Sequence, residues 1–349
     1  MPYQFSRLDV EKSGIDFINE IDENDQLNYF LEDDLYNGSG LAVGDINNDG
    51  LDDIYFVSNF GEDQLYLNKG NFQFENITES AFENSYKGVW KTGACMADLN
   101  ADGFLDIYVC RRGTRLETEE QRRNLVFINT GKNTFVELGK EIGLDDPGRS
   151  SDVAFMDFDQ DGDLDAFITN RRQNTSVMEQ YLRQYHKEGA HSNRLYINEE
   201  GKFRDITSFE MGAAAFGFCF DASIADVNGD GWPDIYVTND YDLPDYLLIN
   251  NQKGGFENQI NDRIRHTSHY SMGSDIADFN NDGWTDLFIL DMSNQDYEKS
   301  KTNMGSMSVA EFWDRVKRGY PYQYMYNSLQ LNLGQGYFSE IAQLSGIAS

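Results

Sequence analysis

The chain has 349 residues and a formal net charge of −32, with 60 acidic side chains against 28 basic ones. That excess argues against nucleic acid and anionic membrane surfaces as partners, because both demand positive charge. Three cysteines do not make a disulfide framework, and no apolar run is long enough to span a bilayer.

Residues 1–38 open the chain, and FSRLDVEKSGI at 5–15 resembles FSEIAQLSGI at 338–347. The first copy reads as an N-terminal closing segment, one strand and its exit. From residue 39 onward a unit repeats. In the first copy, 39–80, a small apolar strand runs into DINNDGLDD, which puts Asp45, Asn47, Asp49, Leu51 and Asp53 at loop positions 1, 3, 5, 7 and 9. The second, 90–140, places Asp98, Asn100, Asp102, Phe104 and Asp106 there; the third, 150–210, places Asp157, Asp159, Asp161, Asp163 and Asp165. The fourth, 216–262, carries Asp226, Asn228, Asp230, Trp232 and Asp234, and the fifth, 270–345, carries Asp278, Asn280, Asp282, Trp284 and Asp286.

Alternating oxygen side chains around a Gly at position 6 suit a loop that folds round a hard cation, and Ca²⁺ before Mg²⁺, which wants near-octahedral geometry. Position 7 would lend its carbonyl, which frees its side chain to vary. One copy alone could be a metal-free turn. Five copies with acid at positions 1, 5 and 9 would each crowd three carboxylates without a counter-ion. The reading is therefore about five Ca²⁺ ions. An EF-hand is rejected, since position 12 is Phe56, Val109, Ile168, Val237 or Ile289 where that loop needs a bidentate Glu.

Each loop is followed by a strand-like run such as DIYFV or DIYVC. A third strand then ends in Asn (DQLYLN, NLVFIN, NRLYIN, DYLLIN, NSLQLN), and a fourth centres on Phe. Four strands per repeat, with first ligands between about 52 and 69 residues apart, predict an all-β fold of propeller blades with the metal loops between strands A and B. The longer spacings come from insertions between strands B and C, at 111–122, 171–192 and 292–326. Two carry helix signatures. Ser176 and Glu179 form a capping box ahead of Met178, Tyr181, Leu182 and Tyr185, and Ser308 and Glu311 do so ahead of Val309, Phe312, Trp313 and Val316. Both apolar stripes are expected to pack onto the blades. Cys95 and Cys110 flank the second loop, where free thiols are preferred over a disulfide.

These motifs resemble the FG-GAP/VCBS repeats of integrin α-like Ca²⁺-bearing β-propellers, with closest resemblance to the bacterial exported type, and the resemblance covers essentially the whole chain. SMGSDIADFNNDG at 271–283 and VTNDYDLPDYLLINN at 237–251 carry it most specifically. It implies an extracellular, cell-surface or periplasmic protein with its leader removed. Relatives of this kind often have seven blades and additional domains, so the five visible blades are expected to be part of a seven-bladed propeller in a longer chain, the alternative being an unusual closure.

Three functional readings stay open. The first is a non-catalytic recognition or adhesion module for a glycan or protein ligand, bound on the face opposite the metal loops, where the B–C insertions lie. Strand B exits there carry Asn59, Arg111, Arg112, Asn170, Arg171, Asn239, Asp240 and Asp291. Arg111, Arg171 and Asp240 are the candidate ligand-binding residues. The alternatives are a polysaccharide lyase or hydrolase, and a structural scaffold. For catalysis the four histidines, His186, His191, His266 and His269, show no metal spacing and no nucleophile motif; the best placed are His266 and His269.

Overall fold

The computed structural model describes residues 7–32, 34–171, 193–207, 217–240, 243–292, 298–299 and 308–348. The described residues hold five four-stranded sheets, each made of strands consecutive in sequence apart from one strand skipped in the last. The first sheet is β1 (Leu41–Gly44), β2 (Asp53–Phe56), β3 (Gln64–Asn68) and β4 (Phe74–Asn76). The second is β5 (Lys91–Ala97), β6 (Asp106–Arg111), β7 (Leu125–Asn129) and β8 (Phe135–Glu137). The third is β9 (Ser150–Met156), β10 (Asp165–Asn170), β11 (Arg194–Asn198) and β12 (Phe203–Asp205), and the fourth is β13 (Cys219–Ala225), β14 (Asp234–Asn239), β15 (Tyr246–Asn250) and β16 (Phe256–Asn258). After β17 (His266–Ser268), the fifth joins β18 (Ser271–Ala277) and β19 (Asp286–Asp291) to β21 (Ser328–Asn332) and β22 (Phe338–Glu340). The skipped strand, β20 (Tyr322–Tyr324), pairs with β17 in parallel. This is the all-β, blade-by-blade architecture that the alternation of strands and Asp-rich loops predicts.

The chain forms two compact units, Met1–Val153 with Glu199–Arg204, and Ala154–Asn198 with Asp205–Ser349. In the first, strand B alternates its faces so that Tyr55, Val57, Ile107 and Val109 meet Leu65, Phe127 and Phe135 in one core. In the second, Ile235, Val237, Leu248 and Phe256 pack with Phe158, Phe167 and Leu195, while Tyr236, Leu247, Leu287 and Ile289 form another cluster. Such β-branched and aromatic runs suit a strand buried on both faces.

Each strand D runs into a one-turn helix where the described residues follow it: α2 (Thr78–Ala81), α3 (Gly139–Ile142), α4 (Ile260–Arg263) and α6 (Ala342–Ser345) come after β4, β8, β16 and β22. The likeness of 5–15 to 338–347 reappears as α1 (Val10–Ser13), which ends on left-handed Gly14 as α6 ends on Gly346. Gly14 lies against the carbonyl of Phe74 as Gly143, which ends α3, lies against that of Phe203, and neither has room for a Cβ. The segment then lies along the first blade: Phe17 stacks on Phe56 at 5.0 Å, Tyr66 donates to Asp16 at 2.8 Å, and Asn19 donates to Asn59 at 2.7 Å.

The capping box at Ser308 and Glu311 does open a helix, α5 (Val309–Lys317). Its stripe only partly packs. Phe312 stacks on Tyr322 of β20, whereas Val309 is 74% exposed and Trp313 is 50% exposed. The helix expected around Met178, Tyr181, Leu182 and Tyr185 lies outside the described residues. Cys95 and Cys110 are free thiols, and burial pushes Cys95 up to about 12.

Candidate functional site at the two ends of the blades

The five A–B loops share one backbone path. Position 4 (Asn48, Ala101, Gln160, Gly229, Asn281) has φ between 56° and 76°, and the Gly at position 6 has φ between 87° and 100°. Glycine enters that second conformation without strain, which fixes its place in every copy. The path turns N–H groups inward onto the position 1 carboxylate. Asp45 accepts from Asp49 at 3.1 Å and from Gly50 at 2.7 Å, and Asp98, Asp226 and Asp278 repeat both bonds.

The acid at position 9 has a double duty that the ligand pattern alone does not suggest. Asp53, Asp106, Asp165, Asp234 and Asp286 are buried. In each, one carboxylate oxygen accepts the N–H of position 2 (Ile46, Leu99, Phe158, Val227, Phe279) at 2.8–3.1 Å. The other accepts the N–H of the Asn that ends strand C (Asn68, Asn129, Asn198, Asn250, Asn332) at 2.8–2.9 Å. These carboxylates are therefore the knots that tie loop to sheet. Burial, opposed by the two N–H donors and aided by neighbouring loop acids, pushes Asp106 up to about 6 and Asp165 and Asp234 up to about 7.

In the third loop, one oxygen each from Asp157, Asp159 and Asp165 lie within 4.8 Å of one another, and Asp157 Oδ1 is buried without a hydrogen-bond partner. Crowded, partly dehydrated carboxylates of this kind are costly alone and fit a hard dication, which takes oxygen donors only.

The opposite end of each blade repeats a second knot. An Asp or Asn just ahead of strand C accepts the N–H of the residue five beyond position 9, at 2.6–2.9 Å. Asp63 takes Ser58, Asn124 takes Arg111, Asn193 takes Asn170, Asp245 takes Asn239 and Asn327 takes Asp291. Where strand B reads D-I-Y, the tyrosine hydroxyl joins in: Tyr55 with Asp63 at 2.8 Å, Tyr108 with Asn124 at 2.9 Å, Tyr236 with Asp245 at 2.6 Å. The same side chain then reaches the first residue of the next strand A. Asp63 meets Lys91 at 2.8 Å, Asn124 meets Ser150 at 2.7 Å, Asn193 meets Cys219 at 3.5 Å and Asp245 meets Ser271 at 2.7 Å. The D/N that begins each strand C motif was the signal for these residues, but such residues also begin ordinary turns.

The family model of the FG-GAP-like repeat matches residues 35–109, 116–168, 185–237 and 226–289. The chain belongs to the FG-GAP-repeat family. Cartilage acidic protein 1 of Xenopus tropicalis is 26% identical over 229 residues, covering 63% of this chain and 32% of that protein. The Homo sapiens protein of the same name is 27% identical over 143 residues, covering 40% and 21%. The chain thus matches about a third or less of the length of these relatives. Among solved structures, an Agrocybe aegerita lectin described as recognising non-reducing terminal N-acetylglucosamine aligns with a TM-score of 0.44 at 15% identity, over 85% of this chain and 63% of that one. The V. cholerae biofilm matrix protein Bap1 aligns with a TM-score of 0.37 at 15% identity, over 73% and 35%.

The polar residues expected to ring the exit end of these FG-GAP blades are largely inside it. Asn59, Arg111, Arg112, Asn170, Arg171, Asn239 and Asp240 are all buried. Arg111 donates to the carbonyls of Gln121 and Arg123 and lies 5.9 Å from the Tyr86 ring centroid. Arg112 is clamped by Glu32 at 3.1 Å and Asp34 at 2.7 Å, with Trp90 at 4.1 Å. Arg171 lies over Phe220 at 4.3 Å and pairs by backbone with Phe218, whose carbonyl also accepts the Asp240 N–H at 3.1 Å. Arg171 and Asp240 thus meet round one residue, and what the three candidates present to solvent is small. His266 is held by Tyr326 at 2.9 Å and Glu340 at 3.5 Å, with burial lowering its basicity; His269 faces Arg315 at 3.5 Å. His186 and His191 lie outside the described residues.

Proposed function

We propose that this FG-GAP-repeat chain is an exported, Ca²⁺-loaded recognition module that binds a glycan or protein ligand without chemical turnover. Ca²⁺ would be held by the side chains at loop positions 1, 3, 5 and 9 and by the position 7 carbonyl, and would neutralise the crowded acids and stiffen the loops. Recognition then belongs to the opposite ends, where the blades differ from one another.

The observation that supports this most is the aromatic face of the fifth B–C insertion. Trp313 of α5 and Tyr322 and Tyr324 of β20 are all exposed, beside the partly covered Phe312. Flat apolar rings beside polar groups suit sugar faces and peptide side chains, and they are what a bulky insertion would otherwise bury. A glycan array probed with Ca²⁺-saturated protein tests the reading, with Trp313→Ala as its control. Specific binding that falls at least tenfold in the variant supports it; turnover of any bound glycan, or binding indifferent to Trp313, counts against it.

A further inference from the structure

Between the first and second blades lies a cavity of about 250 Å³ that neither the metal loops nor the aromatic face uses. Its walls are the rings of Tyr55, Phe82, Tyr86 and Phe127. They are fixed by their own contacts: Phe82 meets Tyr55 edge-on at 6.0 Å and Phe127 at 5.0 Å, and Tyr86 meets Phe127 at 5.1 Å. At one side lies Asp63, neutralised by buried Lys91, so the charged form of the exit knot stands beside this cavity while the three other strand-A partners are Ser or Cys.

Its polar lining is acidic. Glu62, Asp63, Glu79 and Glu83 contribute to it, while the nearest cations stand behind the walls: Lys91 is held by Asp63 and the Tyr86 carbonyl, and Arg111 lies 5.9 Å from the Tyr86 ring centroid. Asp63 is matched by Lys91 and Glu62 by Lys87 at 3.4 Å. Glu79 and Glu83 are exposed and have no ion pair among the described residues. Aromatic faces attract cations through their quadrupole, and free carboxylates at the mouth add to that attraction, while both repel an anion.

We infer that this cavity binds an organic cation of side-chain size, an alkylammonium or guanidinium group seated among Phe82, Tyr86 and Phe127 and held by Glu79 and Glu83. The cavity's chemistry stands whether or not the module recognises glycans. Such a group could come from a free amine or from a basic segment of another protein, and the two sources are separable.

The test is calorimetric titration of the full Ca²⁺-saturated chain with spermidine, with the peptide acetyl-Gly-Lys-Gly-amide, and with galactose as the neutral probe. One saturable site is expected for a cation, weakening as ionic strength rises and the Debye length shortens from about 30 to about 8 Å. Glu79→Gln/Glu83→Gln should weaken it at least tenfold; both side chains are exposed, so the fold is kept, which an unchanged melting temperature confirms. Spermidine binding alone assigns the free amine, and peptide binding assigns a basic segment. Absence of saturable binding at millimolar probe, or binding that survives the double variant and therefore resides on the loop acids, overturns the inference. So does galactose competing for the same site with equal affinity.

Discussion

The two ends of a blade are built by the same device and put to different use. At the loop end, a buried Asp ties position 2 to the end of strand C, and the acids around it recur at positions 1, 5 and 9 in all five copies. At the exit end, an Asp or Asn ties strand B to the start of strand C, but its partner on the next strand A is Lys91, Ser150, Cys219 or Ser271 in turn. Repetition of charge marks the end that shares one task across every blade. Variation of partner marks the end where blades are free to diverge.

The largest test of that contrast is removal of metal. A site filled at 100 times its Kd adds about 2.7 kcal/mol to the folded state. Chelation with EDTA should therefore lower the melting temperature by many degrees, and metal analysis of the untreated protein should return about five Ca²⁺ per chain, one for each of Asp45, Asp98, Asp157, Asp226 and Asp278. An unmoved transition would mean that the loop end is held by its hydrogen bonds alone.

Next in size is a substitution that separates ligand from knot. Asp106→Ala strands the buried N–H groups of Leu99 and Asn129, at roughly 1–3 kcal/mol each, and should remove one ion as well. Asp102→Ala, at an exposed loop position, should lose the ion with a smaller loss of stability and leave the other four loops filled. Equal losses in denaturant melts would show that position 9 acts only as a ligand.

At the exit end, Asp63→Asn leaves Lys91 buried and uncompensated, which should cost about 3–5 kcal/mol. Adding Lys91→Ser recreates the neutral Asn–Ser pair of the next blade, and should recover most of that loss in the same melts. Failure of the second change to rescue would mean that the exits are not interchangeable.

The last effect concerns pH. Burial, opposed by donors from Tyr236, Asn239 and Ser271 and aided by nearby Asp291, pushes Asp245 up to about 7. The folded chain then keeps a proton that the unfolded chain releases near the ordinary carboxylate value. The associated stability is complete below about pH 4 and drains away as pH rises to about 7. Melting curves of the native chain and Asp245→Asn, both at saturating Ca²⁺, should diverge over that window, the variant losing less. Parallel curves would mean that Asp245 titrates in the fold near the ordinary carboxylate value.

The loop end was legible in sequence because its chemistry restricts residue type: only Gly suits position 6, and only oxygen side chains suit positions 1, 3, 5 and 9. The strands were legible because they alternate or run apolar between those loops. The exit end was not. Arg111, Arg171 and Asp240 read as surface residues because they are charged and end a strand, whereas all three are buried, with Arg111 on the Gln121 carbonyl, Arg171 over the Phe220 ring and the Asp240 N–H on the Phe218 carbonyl. Asp63, Asn124 and Asp245 stood in plain view at the head of strand C, yet their role depends on a register five residues past position 9 that only the folded chain reveals.

The terminal Asn of strand C does one more thing. Asn129 donates to the carbonyl of Ile46, Asn250 to that of Phe158 and Asn332 to that of Val227, each a position 2 residue one repeat earlier. Because the acceptor is main chain, the seam is blind to which side chain stands there, and Ile, Phe and Val serve alike. Position 2 can therefore change its side chain without losing the bond that joins one repeat to the one before it.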